Sequence, residues 1–372
     1  MSDKTIPIFL SAGDPSGDIA GYHLIQELII RNDNLSFLGL GGSRMKAAGQ
    51  EQLIEGSRLA VLGFWEVARK FMFFKRLINQ AAVQIEKIRP RAVILIDYPG
   101  FNLRLAKRIK PLGIPIIYYV SPQVWAWGGK RIHQIRRLVN LMLLILPFEK
   151  EIYDKASIKN QFVGHYLLDD MDNRFIRSPY NPDSDLILLM PGSRSQEVQR
   201  MLPTMLETAA RLNRDNRWRF AIAAVEGEID YNSYLNEIEF PVQLVKGGTR
   251  ELIAESRLVI TSSGTATLET GIIGRPMIVI YKTGTLTYLI ARHLVTLDKI
   301  ALVNITAREK IVPELIQNRA VPKAIAGEAK RMLENKTLCL DIVRRLNEIC
   351  ERLETTGASA RAAEAIMEYI SC

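Results

Sequence analysis

The feature that most restricts the fold is a regular alternation along the chain. Short apolar runs rich in Ile, Val, Leu and Tyr end in Gly, Ser, Pro or Asp turns, and each turn leads into a stretch of helical periodicity. Strands separated by helices must be joined by crossovers, which gives a parallel, doubly wound α/β sheet. The first series reads IPIFLSAG, LSFLGLGG, AVILIDYPG, IPIIYYVSP, LMLLILPFE and QFVGH. The second reads LILLMPGS, RFAIAAV, VQLVKG, RLVITSSG and PMIVIY, and helical patterns dominate from about Glu309 onward. Residues 168–185 between them are polar, aperiodic and broken by Pro179 and Pro182, so they read as a linker. Two Rossmann-like domains follow, 1–167 and 186–355, with the last helix, 356–372, expected to rejoin the first. Ligands are expected in an interdomain cleft between two rows of strand C-termini.

A chain of 372 residues, 48% hydrophobic and 24% charged, suffices for two soluble cores. Its three cysteines, Cys339, Cys350 and Cys372, lack metal-ligand spacing, which points to a reducing compartment and away from a zinc site. No secretory pattern follows Met1, and the longest apolar run, 138–148, is interrupted by Asn140 and Pro147 and is too short to span a bilayer. A cytoplasmic protein is expected. The formal charge of +9 is concentrated: eight Lys or Arg and no acid lie between Phe101 and Arg137. Such a stretch suits a nucleic acid, an anionic membrane or a phosphorylated substrate, or is simply a solvated basic face.

The strand-end turns carry the chemistry. In SAGDPSGDIAG, the first turn occupies the usual place of a phosphate loop but carries Asp14 and Asp18 beside Ser16 and Gly17, and two carboxylates would repel a diphosphate. The turn LLMPGSRSQEV differs. Gly192, Ser193 and Arg194 open a helix whose free N–H groups and guanidinium suit a diphosphate, with Glu197 placed to cap the first turn. In VITSSGTATLETG, Ser263, Gly264, Thr265 and Ala266 repeat that arrangement, and Glu269 one turn later suits the hydroxyls of a ribose. Asp97, at the end of the very apolar strand AVILI, is a candidate proton acceptor or a turn-forming Asp. Trp125 and Trp127 offer aromatic faces to a sugar or to the core. The segment 59–78 interleaves Phe64, Trp65, Phe71, Met72, Phe73 and Phe74 with Arg69, Lys70, Lys75 and Arg76. Such interleaving describes an interfacial membrane helix or a homodimer contact. No histidine has metal-ligand spacing, and the Asp-x-Asp triplets at 170–172 and 183–185 fall in the linker.

Taken together, GDPSGDIAG, GGSRMKAAG, LAVLGFWEV, LIDYPGFN, YYVSPQVWAWGGKR, LPFEKEIYDK, FVGH, LMPGSRSQEV and SSGTATLE resemble, in order and spacing, the lipid-A-disaccharide synthase family over about residues 6–320. The resemblance implies a GT-B type inverting glycosyltransferase acting on UDP-2,3-diacylglucosamine and 2,3-diacylglucosamine 1-phosphate (lipid X). It implies Asp97 as the base, Arg194, Glu269 and Asn304 at the nucleotide, and an acceptor site in the first domain, where Asp14, Ser16, Gly17, Asp18 and Trp125 bind sugar hydroxyls or brace the cleft; it implies no metal or other cofactor, the UDP-sugar being a substrate. It makes the 59–78 segment and the basic face contacts to an anionic membrane surface, at the cytoplasmic face of an inner membrane. Four positions depart from the family pattern: Asp14 stands for its usual Glu, Val303 for a Pro, and Arg308-Glu309 for Gly-Arg. Two rival functions are a nucleotide-sugar epimerase of the same fold and a nucleic-acid-binding module. The acid-lined turns argue against nucleic acid.

Overall fold

The computed structural model describes residues 5–53, 67–127, 130–225, 229–236, 238–284, 299–353 and 356–371. It divides into two units, one made of Met1–Asp170 with Leu353–Cys372, the other of Met171–Arg352.

The first unit runs β1 (Ile6–Ala12), α1 (Pro15–Arg31), β2 (Leu35–Leu40), α2 (Ser43–Ala47), β3 (Gln50–Gln52), α3 (Val67–Ile88) and β4 (Ala92–Ile96). It continues through α4 (Pro99–Ile109), β5 (Ile116–Tyr119), α5 (Val124–Trp127), α6 (Lys130–Leu138), β6 (Leu141–Leu144), α7 (Glu149–Lys155) and β7 (Asn160–Phe162). The sheet order is β3-β2-β1-β4-β5-β6-β7, all parallel, so the winding reverses between β1 and β4. β4 reads AVILI and is buried at every position, as a strand covered on both faces must be. On one face, α3, α4, α6 and α7 close the core through Leu77, Ile85, Leu105, Ile135 and Tyr153.

The second unit runs β8 (Leu186–Met190), α8 (Ser195–Leu212), β9 (Arg219–Ala224), α9 (Asn232–Leu235), β10 (Val242–Lys246), α10 (Thr249–Glu255) and β11 (Leu258–Ser262). There follow α11 (Thr265–Ile273), β12 (Met277–Tyr281), α12 (Leu302–Ala307), β13 (Glu314–Ile316), α13 (Pro322–Glu334) and α14 (Lys336–Arg352). The order β10-β9-β8-β11-β12-β13 is again all parallel and reverses between β8 and β11. Two doubly wound parallel sheets are the α/β class expected from the alternation. β3 and β13, which the apolar runs did not announce, are three-residue edge strands.

The last helix, α15 (Ala358–Ser371), packs on α1. Its buried face is largely Ala358, Ala362, Ala363 and Ala365, small enough for close approach. Its N-terminus is capped from 188 residues away: the Asp169 carboxylate accepts N–H bonds from Gly357, Ala358 (3.2 Å) and Ser359 (2.7 Å). Beyond Asp170 the polar stretch is fastened to the second unit. Met171 and Phe175 are buried, and the fully buried Arg275 guanidinium donates to the Ser178, Pro179, Ile273 and Ala254 carbonyls. Burial lowers the Arg275 pKa to about 10, still charged at neutral pH.

Candidate functional site

In open parallel sheets, ligands bind where the winding reverses, because the loops on either side diverge there and leave room. In the first unit that point lies between the loops after β1 and β4, which carry Asp14 and Asp97. Asp97 and Tyr98 both adopt left-handed backbone, φ 45° and 47°. For non-glycine residues this is strained and needs support from neighbours. The support is a buried network. The Asn102 amide donates to the carbonyls of Asp97 (2.8 Å), Ile96 (3.1 Å) and Ser11 (3.2 Å) and accepts from the Ser11 hydroxyl (2.7 Å). The Tyr118 hydroxyl adds a 2.6 Å bond to the Asp97 carbonyl. Tyr98 lies over Gly13, where any side chain would run into its ring.

The Asp97 carboxyl is pushed up to about 7, chiefly by burial and then by the negative charge of Asp14, with the Tyr98 N–H pulling the other way. A carboxylate poised near neutrality at a strand end can take a proton from a hydroxyl. Asp14 is the N-cap of α1 and accepts the Gly17 N–H at 2.7 Å. The buried Tyr166 hydroxyl faces Asp97, Asp14 and Ser16, and burial raises its pKa.

Contacts place several of the other candidates. Asp18 does not offer its carboxylate to a sugar: it is buried and accepts the N–H groups of Gly42, Arg44 and Met45, capping α2. His165 is buried in apolar surroundings that push its pKa down to about 3, so it stays neutral and accepts the Leu167 N–H. Phe73 and Phe74, expected at a membrane, are partly buried against the core, with Phe74 set against Tyr98 and Phe101 at centroid distances of 6.4 and 6.3 Å. Phe64 and Trp65 lie outside the described residues. Arg69, Lys70 and Phe71 are placed only as backbone of α3, and Trp127 only as backbone of α5. On the same helix Met72 is 52% exposed, and Lys75 and Arg76 are exposed. The neighbouring α3, α4 and α6 together carry twelve Lys and Arg against a single acid, Glu86.

In the second unit the reversal point brings together the turns after β8 and β11. Arg194 is the N-cap of α8 with a side chain 76% exposed. Glu197 reaches back to the N–H groups of Ser193 (3.0 Å) and Arg194 (3.4 Å), so the donors expected for a diphosphate already hold a carboxylate. That carboxylate lies so close to Gly192, φ 119°, that only glycine fits there. Gly264, φ 145°, caps α11 with open space before it, leaving the Thr265–Ala266 backbone approachable. The Ser263 hydroxyl instead donates to the Ile300 carbonyl at 3.0 Å. Glu269 is paired with Arg250 of α10 at 2.8 Å, a partner the sequence did not single out.

Asn304 is the clearest correction. It is completely buried; its amide donates to Val312 O (2.9 Å) and Glu314 Oε1 (2.8 Å), and its oxygen accepts from Ile311 (2.8 Å) and Val312 (3.0 Å). Its hydrogen-bonding capacity goes to holding 311–314 in place beside β12, not to a nucleotide.

Residues 8–366 match the family described as lipid-A-disaccharide synthetase. The chain belongs to the lipid-A-disaccharide synthase family. It is 40% identical over 345 residues to a lipid-A-disaccharide synthase of Nitrosococcus oceani, covering 90% of this chain and 89% of that one. It is 37% identical to one of Trichlorobacter lovleyi, covering 98% and 97%. Among solved structures, the glycotransferase of kitacinnamycin superposes with a TM-score of 0.67 at 14% identity over 98% of this chain and 99% of that one. A protein from Listeria monocytogenes assigned as a UDP-N-acetylglucosamine 2-epimerase gives 0.68 at 12%, over 99% and 97%. At these identities the superpositions speak for fold alone, which transferases and epimerases share. The family match makes this member a glycosyltransferase of GT-B type. Among the described residues no helix is long and apolar enough to cross a membrane.

Proposed function

We propose that the chain transfers 2,3-diacylglucosamine from UDP-2,3-diacylglucosamine to the 6-hydroxyl of 2,3-diacylglucosamine 1-phosphate. The products are the β-1,6-linked disaccharide 1-phosphate and UDP. The observation that carries the proposal is the Asp97 carboxyl, held on a strained, buried-network loop at the reversal point of the first sheet with its pKa near 7. In the proposed step the acceptor oxygen bonds to the donor anomeric carbon from the face opposite UDP. The acceptor proton passes to Asp97, the bond to the diphosphate breaks, and the configuration inverts. Charge growing on the departing diphosphate is met by the Arg194 guanidinium and by the N–H groups at the start of α11, while the Ser193 and Arg194 N–H groups at the start of α8 hold Glu197. Glu269, aligned by Arg250, takes the ribose hydroxyls. Mixing the two acylated sugars should release UDP, and Asp97→Ala should abolish turnover while UDP binding persists. A normal rate in that variant would remove Asp97 from the chemistry, and isomerisation of unacylated UDP-N-acetylglucosamine would point to an epimerase.

Both substrates carry acyl chains, so the enzyme must meet them at a membrane. The basic layer of α3, α4 and α6, with exposed Met72, is proposed to dock on anionic headgroups at the cytoplasmic face of an inner membrane. Co-sedimentation with phosphatidylglycerol vesicles, lost in high salt and absent with phosphatidylcholine, would support this; equal binding to both would not.

A further inference from the structure

The loop after β6 carries a buried acid with no part in the proposed chemistry. Glu149, the first residue of α7, is 2% exposed. Its Oε1 accepts the indole N–H of Trp125 at 3.3 Å, and its Oε2 accepts the Leu146 N–H at 3.2 Å. The preceding Phe148 sets its ring against Trp125, edge to face, at 5.6 Å. One turn on, the Tyr153 hydroxyl lies 2.7 Å from the Ser121 hydroxyl at the start of the Trp125 loop. The beginning of α7 therefore clamps the loop after β5 at three points, and Trp125 itself remains half-buried at the strand-end rim. β5 lies beside β4, the strand that ends in Asp97.

A buried carboxylate is a costly way to fill space, and burial pushes this one up to about 7. The geometry shows what it supplies: two acceptor oxygens for two N–H groups that point at it from different segments. Glutamine cannot replace it, because its single oxygen would satisfy one N–H and its amide would turn a donor toward the other.

We propose that Glu149 is a positioning residue for the acceptor sugar, acting through Trp125, whose ring it and Phe148 fix as a flat platform beside Asp97. The inference rests on the proposed role of Asp97 as the base that takes the proton of the acceptor hydroxyl. Steady-state kinetics on Trp125→Phe, Glu149→Gln and the double variant test it. Trp125→Phe removes the indole N–H that Glu149 binds, together with one of the two fused rings, and keeps an aromatic face. Each single variant should raise the acceptor KM about fivefold, with kcat and donor KM changed less than about twofold. The double variant should stay near fivefold, because both changes break one linkage. Effects that multiply to about 25-fold, or an effect on kcat or donor KM in place of acceptor KM, would overturn the proposal. If Glu149→Gln does not fold, an unchanged acceptor KM in Trp125→Phe still overturns it. Failure of the proposed function is seen separately, as absence of UDP release by the wild-type enzyme.

Discussion

The side chain of Asn102 holds the main chain of Asp97. One amide, completely buried, bonds to carbonyls at the ends of β1 and β4 and so fixes the two strands at the point where the first sheet reverses its winding. The Asp97 carboxyl is thus placed through bonds to its own main chain.

Asn102→Ala should therefore act on rate and on stability together. Removing the amide leaves carbonyls of Ser11 and Ile96 short of partners, at a cost of about 2–3 kcal/mol in urea unfolding. With Asp97 less firmly held, kcat should fall at least about tenfold while UDP affinity stays near wild type. An unchanged kcat would show that the loop keeps its form without the network.

The Asp97 pKa gives signed pH behaviour. Activity needs the ionised carboxylate, so kcat/KM should fall about tenfold per pH unit below about 7. For stability, the folded protein keeps a proton on Asp97 between the ordinary carboxylate range and about pH 7 that the unfolded chain has lost. Its contribution to stability therefore declines as pH rises through that window. Asp97→Asn should be inactive, yet gain stability over wild type on going from pH 5 to pH 8, by roughly 2–4 kcal/mol. Thermal melts of both proteins across that range measure it.

Glu197 occupies backbone donors that a diphosphate would use. Glu197→Gln keeps an acceptor at the helix start but removes a negative charge, so UDP should bind about three- to tenfold tighter. Stability should drop by less than about 1 kcal/mol. Arg194→Ala should weaken UDP about tenfold or more. Calorimetric titration with UDP distinguishes the two directions.

Asn304→Ala should destabilise the second unit by about 2–4 kcal/mol, since it leaves buried groups in 311–314 unpaired. UDP affinity measured well below the melting temperature should change less than about threefold. A large loss of affinity without loss of stability would return Asn304 to the nucleotide site.

Every strand that had to be buried on both faces was visible as an apolar run, because burial there leaves no choice of composition. β3, with the sequence Gln-Glu-Gln, escaped because an edge strand needs backbone partners more than apolar side chains. The site divided in the same way. Turn residues such as Gly192 and Gly264 were legible from local chain geometry, and Asp97 from the abrupt charge after an apolar strand. Partnerships such as Ser11 with Asn102 or Glu149 with Trp125 were not, because they join segments that only the sheet order brings together. Asn304 was misplaced for the converse reason: a resemblance in sequence position carries no record of where a side chain points.

The capping of α15 by Asp169 bears on how the molecule is made. The first unit is interrupted in the chain, so α1 has no α15 to cover it until the ribosome has passed residue 371. The second unit is complete in sequence by then and is free to form first. A chain stopped before α15 should thus be lost to aggregation or proteolysis with its site residues all present.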